Sequence, residues 1–307
     1  MTKTAWVFPG QGSQKVGMVS NLQENAIGHS PGFAIARAKL EAAEKILGWS
    51  VLDLCQGEES TLARTLYTQP CLYVVESIIA DLLIDKCGLP DLVAGHSLGE
   101  YVALYTAGVF DFESGLKLVK KRAELMDSAA GGKMAALMKF DRDQLSTALD
   151  QTDGVVLAND NSAGQVVISG TPEAVDQILS QVKARKVTPL NVSGAFHSPL
   201  MQDAADQFLS VLDSVSFNDA KIPVISNVNP VPASEQKELK QRLAQQMTSS
   251  VRWREIMLQF SQLGVTNIVE VGPGKVLCGL IKRTCKDIKL EAIGTAEQIN
   301  VKVPALT

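Results

Sequence analysis

Short apolar runs alternate along the chain with stretches of helical spacing. Ala5–Phe8 is a continuous apolar run and predicts a buried strand. Phe33, Ala36, Leu40, Ala43 and Leu47 fall at three- and four-residue steps and predict a helix over 33–47. A second apolar helix is predicted over Cys71–Cys87, stopped by Gly88 and Pro90. Leu92–Ala94 predicts a short buried strand that meets Gly95 and then a helix over Leu98–Thr106. Phe112–Met126 predicts another helix. Further on, Pro223–Val228 and Asn267–Val271 predict strands, with a helix over Trp253–Gln262 between them. This is the grammar of an α/β fold, a mostly parallel sheet covered by helices.

The middle of the chain has another rhythm. After Gly131-Gly132 the pattern predicts a strand (Met134–Phe140), a helix (Asp141–Asp150), two strands (Val155–Ala158 and Gln165–Ser169), a helix (Pro172–Arg185) and a strand (Val187–Val192). Thr171 before Pro172, with Glu173 next, is a strong helix start. The order β-α-β-β-α-β is ferredoxin-like. It predicts an inserted subdomain at 128–196, within a large domain made of 1–127 and 197–307. Ala296–Thr307 shows no strong pattern and reads as a loose tail.

With 29 Lys+Arg against 33 Asp+Glu, the formal charge of −4 argues against a dedicated nucleic-acid binder. No apolar run reaches the length of a membrane span. The most apolar helical stretch, Val74–Ile84, is interrupted by Glu76 and Asp81. The chain opens almost directly on a strand, without a basic-then-apolar leader, so a cytoplasmic location is expected. The five cysteines form no Cys-x-x-Cys pair and read as reduced thiols in the core. With only three histidines no metal site is expected.

Candidate chemistry begins at Gly95-His96-Ser97-Leu98-Gly99, a Gly-x-Ser-x-Gly motif where a strand ends and a helix begins. Glycines two positions either side of Ser97 suit a turn too tight for side chains. The helix N-terminus there favours developing negative charge. The alternative is a plain strand-to-helix turn. A serine nucleophile needs a base. His96 adjoins Ser97 and should point elsewhere, and His29 sits in a Gly/Ser/Pro loop and reads as solvated. By elimination His197, at the predicted domain junction, is the candidate base, a purely structural junction histidine being the alternative.

Four motifs then occur in order: Phe8-Pro-Gly-Gln-Gly-Ser-Gln14, Gly95-His-Ser-Leu-Gly-Glu-Tyr101, Gly194-Ala-Phe-His-Ser198 and Glu270-Val-Gly-Pro-Gly-Lys-Val-Leu277. Together they resemble the malonyl-CoA:acyl-carrier-protein transacylases of bacterial fatty-acid synthesis, over about residues 4–290. The resemblance implies a hydrolase-like sheet with the inserted subdomain, and roles for particular residues. Ser97 would be the acylated nucleophile and His197 its base. The backbone N–H groups of Gln11 and Leu98 would form the oxyanion hole. Arg122 would grip the malonyl carboxylate with two parallel hydrogen bonds, where a surface cation beside Lys120 and Lys121 is the alternative. Many relatives carry glutamine where Arg252 stands, a position implied to offer its backbone carbonyl to the histidine. With no clear acidic third member, a Ser–His dyad is expected, and Asp203 and Asp206 are expected to face solvent or the helix start. Asn159 and Asn161 read as turn residues; the resemblance implies that the Asn161 loop edges the acyl pocket.

Gly272-Pro273-Gly274-Lys275 lacks the phosphate-loop spacing and reads as a strand-to-helix turn. The helix expected after it would carry Lys275, Lys282, Arg283, Lys286 and Lys289. These form a solvated face or a docking surface for an acidic carrier protein. The resemblance thus implies no bound cofactor: malonyl-CoA is the substrate, and phosphopantetheine arrives on the acyl carrier protein. A monomer is expected. Rival readings are a free-standing acyltransferase of a polyketide synthase, a serine thioesterase, and a non-catalytic carrier-binding module.

Overall fold

The computed structural model describes residues 2–20 and 31–302. The first part of the chain runs β1 (Thr4–Phe8), α1 (Pro31–Leu47), α2 (Val51–Gln56), α3 (Glu59–Leu62), α4 (Thr65–Cys87), β2 (Leu92–Gly95), α5 (Gly99–Thr106) and α6 (Phe112–Ser128). The middle contributes β3 (Lys133–Phe140), α7 (Arg142–Asp150), β4 (Val155–Ser162), β5 (Gln165–Gly170), α8 (Pro172–Gln181) and β6 (Ala184–Pro189). The last part holds α9 (Gln202–Ser214), β7 (Val224–Ile225), α10 (Gln236–Gln245), α11 (Trp253–Gln262), β8 (Asn267–Val271), α12 (Val276–Thr284), β9 (Lys289–Ile293) and α13 (Ala296–Lys302).

Two sheets result. One has the order β7-β2-β1-β8-β9, and every pairing in it is parallel. The other, β4-β5-β3-β6, is antiparallel throughout. The apolar run of β1 is continuous because both faces of the parallel sheet are covered. Trp6 and Phe8 enter the large core shared with α4, α5 and α6. Ala5 and Val7 pack on the opposite face with Trp253, Phe260 and Leu277. The antiparallel sheet closes its own core beneath α7 and α8, with Leu145, Ile168 and Ile178 inside. Capping fixes those helices locally: Asp141 accepts from the Gln144 N–H and Thr171 from the Ala174 N–H.

Some expected boundaries move. The α4 helix begins at Thr65, six residues before the expected start, with Pro70 inside it; Tyr67 and Thr68 donate to the Arg64 carbonyl to form its first turn. The strand expected over Pro223–Val228 is only two residues long, because Asn227 turns its N–H away from the ladder to the Glu100 carboxylate. The basic helix ends at Thr284. Lys286 therefore lies beyond it, and Lys289 opens β9, an edge strand paired parallel to β8. Ala296–Lys302 is a helix and not a tail. His29, expected in a solvated loop, and residues 303–307 lie outside the described residues. Among the described residues no helix is long and apolar enough to cross a membrane. The five cysteines are free thiols, three of them buried.

Candidate active site

The turn from β2 into α5 is built by steric exclusion. A Cβ on Gly95 would lie 1.9 Å from the Gly99 carbonyl carbon, and one on Gly99 would lie 2.1 Å from the Phe8 carbonyl oxygen. Only glycine lets the helix start pack this tightly on β1. Ser97, between them, has φ of +52°, a left-handed conformation that costs an L-residue roughly 1–2 kcal/mol. Asn227 holds it there. Its Oδ1 accepts from the Ser97 N–H (2.7 Å), while its Nδ2 donates to the Gly95 carbonyl (2.6 Å).

Ser97 Oγ lies 2.8 Å from His197 Nε2. His197 is also left-handed, with φ of +57°, and is buried. Its Nδ1 lies 3.0 Å from the Gln246 carbonyl oxygen, so Nδ1 carries the proton and Nε2 is left to accept one from Ser97. Burial, and then the positive charge of Arg122, push the pKa of His197 down to about 3. The imidazole is therefore neutral at physiological pH.

Arg122 lies on the buried side of α6, with Leu116, Val119, Ala123 and Met126, and is 1% exposed. It is thus unlike its half-buried neighbours Lys120 and Lys121. Its Nη1 donates to Gln69 Oε1 (2.7 Å). Its Nη2 donates to Ser97 Oγ (3.0 Å) and Gln246 Oε1 (3.1 Å). The Tyr101 ring lies 5.4 Å from the guanidinium carbon. All three acceptors are uncharged, so a buried cation faces the serine without a carboxylate bonded to it. Such a group calls for an anion.

The main-chain N–H groups of Gln11 and Leu98 have no hydrogen-bond partner among the described residues. Gln11 follows β1, next in the sheet to β2, and its side chain donates to Thr65 Oγ1 (3.1 Å). Leu98 precedes the first residue of α5. The Gly10 Cα packs on the elbow itself; a Cβ there would meet the His96 carbonyl oxygen at 2.4 Å.

Two expected placements are corrected. Arg252 does not offer its carbonyl to His197. That carbonyl accepts from Glu255 and Ile256 as α11 begins, and the guanidinium pairs with Glu255 at 2.6 Å. Gln246, at the end of α10, supplies the carbonyl instead. Asn159 and Asn161 are not in a turn. Register shifts in β4 carry the strand on to Ser162, and Ala163-Gly164 make the turn. Asn161 Oδ1 accepts from His96 Nε2 (2.8 Å), holding the His96 ring away from Ser97 and beside Trp253, 5.6 Å between centroids. Asp203 and Asp206 are exposed on α9, as expected.

Three buried residues about the site escape sequence reasoning: Gln69, Asn227 and Gln246. Asn227 had a topological signal, since it falls near the end of a strand expected to lie in the same sheet as β2. The two glutamines had none. Among the described residues no cluster of three or more His, Cys, Asp or Glu could hold a metal.

Comparisons with known proteins place this geometry in context. The model of a family described as the acyl transferase domain matches residues 5–303. The chain is 58% identical to the malonyl CoA-acyl carrier protein transacylase of Synechocystis sp., over 97% of this chain and 99% of that one. The crystal structure of the Synechocystis malonyl-CoA:ACP transacylase superposes with a TM-score of 0.93, covering 98% of this chain and 100% of that one. The chain is also 46% identical to a polyketide biosynthesis malonyl CoA-acyl carrier protein transacylase of Bacillus velezensis, over 91% of this chain and 95% of that one. A malonyl-transacylase solved in complex with a type II polyketide acyl-carrier protein is 34% identical, with a TM-score of 0.91 and coverage of 99% and 100%.

Proposed function

The chain belongs to the acyl transferase domain family, and from that premise we propose that it transfers the malonyl group of malonyl-CoA to the phosphopantetheine thiol of an acyl carrier protein, supplying fatty-acid synthesis. Transfer runs through a malonyl ester on Ser97. The supporting observation is that one hydroxyl meets both a neutral imidazole, at 2.8 Å, and a buried guanidinium, at 3.0 Å. Cleavage of a neutral acyl group has no use for that cation. A malonyl group, with its free carboxylate, does.

In the first half-reaction His197 Nε2 takes the Ser97 proton as Oγ attacks the thioester carbonyl carbon. The carbonyl oxygen becomes an oxyanion and accepts hydrogen bonds from the Gln11 and Leu98 N–H groups. Arg122 holds the malonyl carboxylate. As the tetrahedral intermediate collapses, the carbon–sulfur bond breaks and CoA leaves with the proton from His197. In the second half the pantetheine thiol gives its proton to His197, its sulfur attacks the ester, and the Ser97 oxygen leaves and is reprotonated. Only side chains and main-chain amides act. CoA and pantetheine come and go with substrate and partner.

The exposed cations Lys275, Lys282, Arg283 and Lys286, on and beside α12, suit an acidic carrier protein, and we place its docking there. The reading takes the enzyme to be a cytoplasmic monomer. Intact-mass analysis after incubation with malonyl-CoA tests it. One malonyl adduct, mapped to the Ser97 peptide and discharged by the thiol of the carrier protein, is expected. No adduct, or release of free malonate as fast as transfer, overturns it.

A further inference from the structure

Gln246 bonds to four residues of the site, Ser97, Glu100, Arg122 and His197, and it is 1% exposed. Its main-chain carbonyl faces His197 Nδ1 (3.0 Å). Its side-chain Nε2 donates to the Ser97 carbonyl (3.0 Å) and to Glu100 Oε2 (2.7 Å), and its Oε1 accepts from Arg122 Nη2 (3.1 Å). The carboxamide therefore stands directly between a buried carboxyl group and a buried guanidinium.

That placement solves a conflict. A guanidinium kept for a substrate carboxylate must be held in position without being neutralised. Gln69 and Gln246 do this with uncharged oxygens. Yet Glu100, also 1% exposed, lies one carboxamide away. Burial disfavours its charged form against the support of Gln246, the Asn227 N–H and the Ser226 hydroxyl, and among the described residues no cation bonds to it. Such a carboxylate gains from any cation it reaches. A buried Arg122–Glu100 ion pair would neutralise the guanidinium and turn it from the substrate.

We propose that the Gln246 side chain is a positioning residue for acyl-group selectivity: by interposing a neutral amide between Glu100 and Arg122, it keeps the guanidinium aimed at Ser97 and open to an anionic acyl group. The inference rests on the malonyl-transfer reading and adds to it a residue that the substrate need not touch. It also implies that Glu100 is the competitor that Gln246 holds off.

Steady-state kinetics with malonyl-CoA and acetyl-CoA, at fixed carrier protein, test it on four proteins: wild type, Gln246→Ala, Glu100→Gln and the double variant. The expected result is a fall of roughly tenfold to a hundredfold in the malonyl/acetyl ratio of kcat/KM for Gln246→Ala, carried mainly by KM for malonyl-CoA. Adding Glu100→Gln should recover most of that ratio, because the competing charge is gone. A merely structural role would lower both substrates alike and would not be rescued. Should Gln246→Ala lose its thermal unfolding transition, Gln246→Met, which fills similar volume without polar atoms, takes its place with the same expectation. An unchanged ratio, or no recovery in the double variant, overturns the inference. Wild-type enzyme that transfers no malonyl group overturns the underlying reading instead.

Discussion

Two glycine-rich turns leave the same parallel sheet for a helix, and only one carries the proposed chemistry. The β2–α5 turn holds Gly95 and Gly99, and the β8–α12 turn holds Gly272 and Gly274. Their strands flank β1, and in register Ala94 and Glu270 stand at the same level on either side of Val7. That pair of residues makes the difference. Glu270 sends its carboxylate under α12 and accepts from the Leu277 N–H (3.0 Å) and the Cys278 N–H (2.7 Å). The positive end of α12 is thus occupied from within. Ala94 can do nothing of the kind, so the Leu98 N–H at the start of α5 stays open. A helix N-terminus becomes a site only where the chain leaves it unfilled.

The contrast can be tested in descending order of effect. Ser97→Ala should lower transfer by roughly 10³-fold or more, read as carrier-protein malonylation, while leaving the thermal transition in place. Retention of more than a tenth of the rate would break the assignment of the elbow.

The glycines come next. Gly99→Ala drives a methyl into the Phe8 carbonyl and should destabilise by about 4 kcal/mol. At Gly274 the nearest atom to an added Cβ is 3.7 Å away, and only its φ of +90° is strained, so Gly274→Ala should cost about 1–2 kcal/mol. Denaturant midpoints compare the two. Equal losses would show that the turns are packed alike.

The pH dependence is gentler. An ordinary histidine half-protonates near pH 6.5, but His197 is held down to about 3. Hence kcat/KM for malonyl-CoA should change by no more than about twofold from pH 8 to pH 5. An acid limb centred near 6.5 would contradict the neutral, buried base. Stability moves the same way. The unfolded chain takes up this proton below about pH 6.5 and the folded one only near 3, so the contribution is full above 6.5 and is lost as pH falls between those values. Smallest of all, Glu270→Gln should cost about 1 kcal/mol, seen as a drop of roughly 2–4 °C in Tm, without loss of transfer. A large loss of transfer would mean that the second turn also serves the reaction.

Much of this was legible in the sequence because it is local. The elbow glycines are dictated by contacts within five residues and with the neighbouring strand, so Gly-x-Ser-x-Gly marks the corner by itself. The caps Asp141 and Thr171 announce their helices for the same reason. The errors share another cause. Asn161 looks like turn chemistry, yet β4 continues through register shifts that no local pattern shows. Lys289–Ile293 is an edge strand with its first residue exposed and little apolar signal. Arg252 and Gln246 are six residues apart, and which carbonyl meets His197 depends on where α10 ends and α11 begins. That is a question of packing.

Residue order alone settled the alternation of strands and helices, the strained corner at Ser97 and the family motifs, since each is written in neighbours along the chain. Tertiary structure decided which groups face one another. Ser97, Arg122, His197 and Gln246 come from four separate stretches of the chain and meet because β2, α6, the segment after β6 and the end of α10 converge. Their charges acquire meaning only there, where burial removes water and each group's partner is whatever the packing supplies.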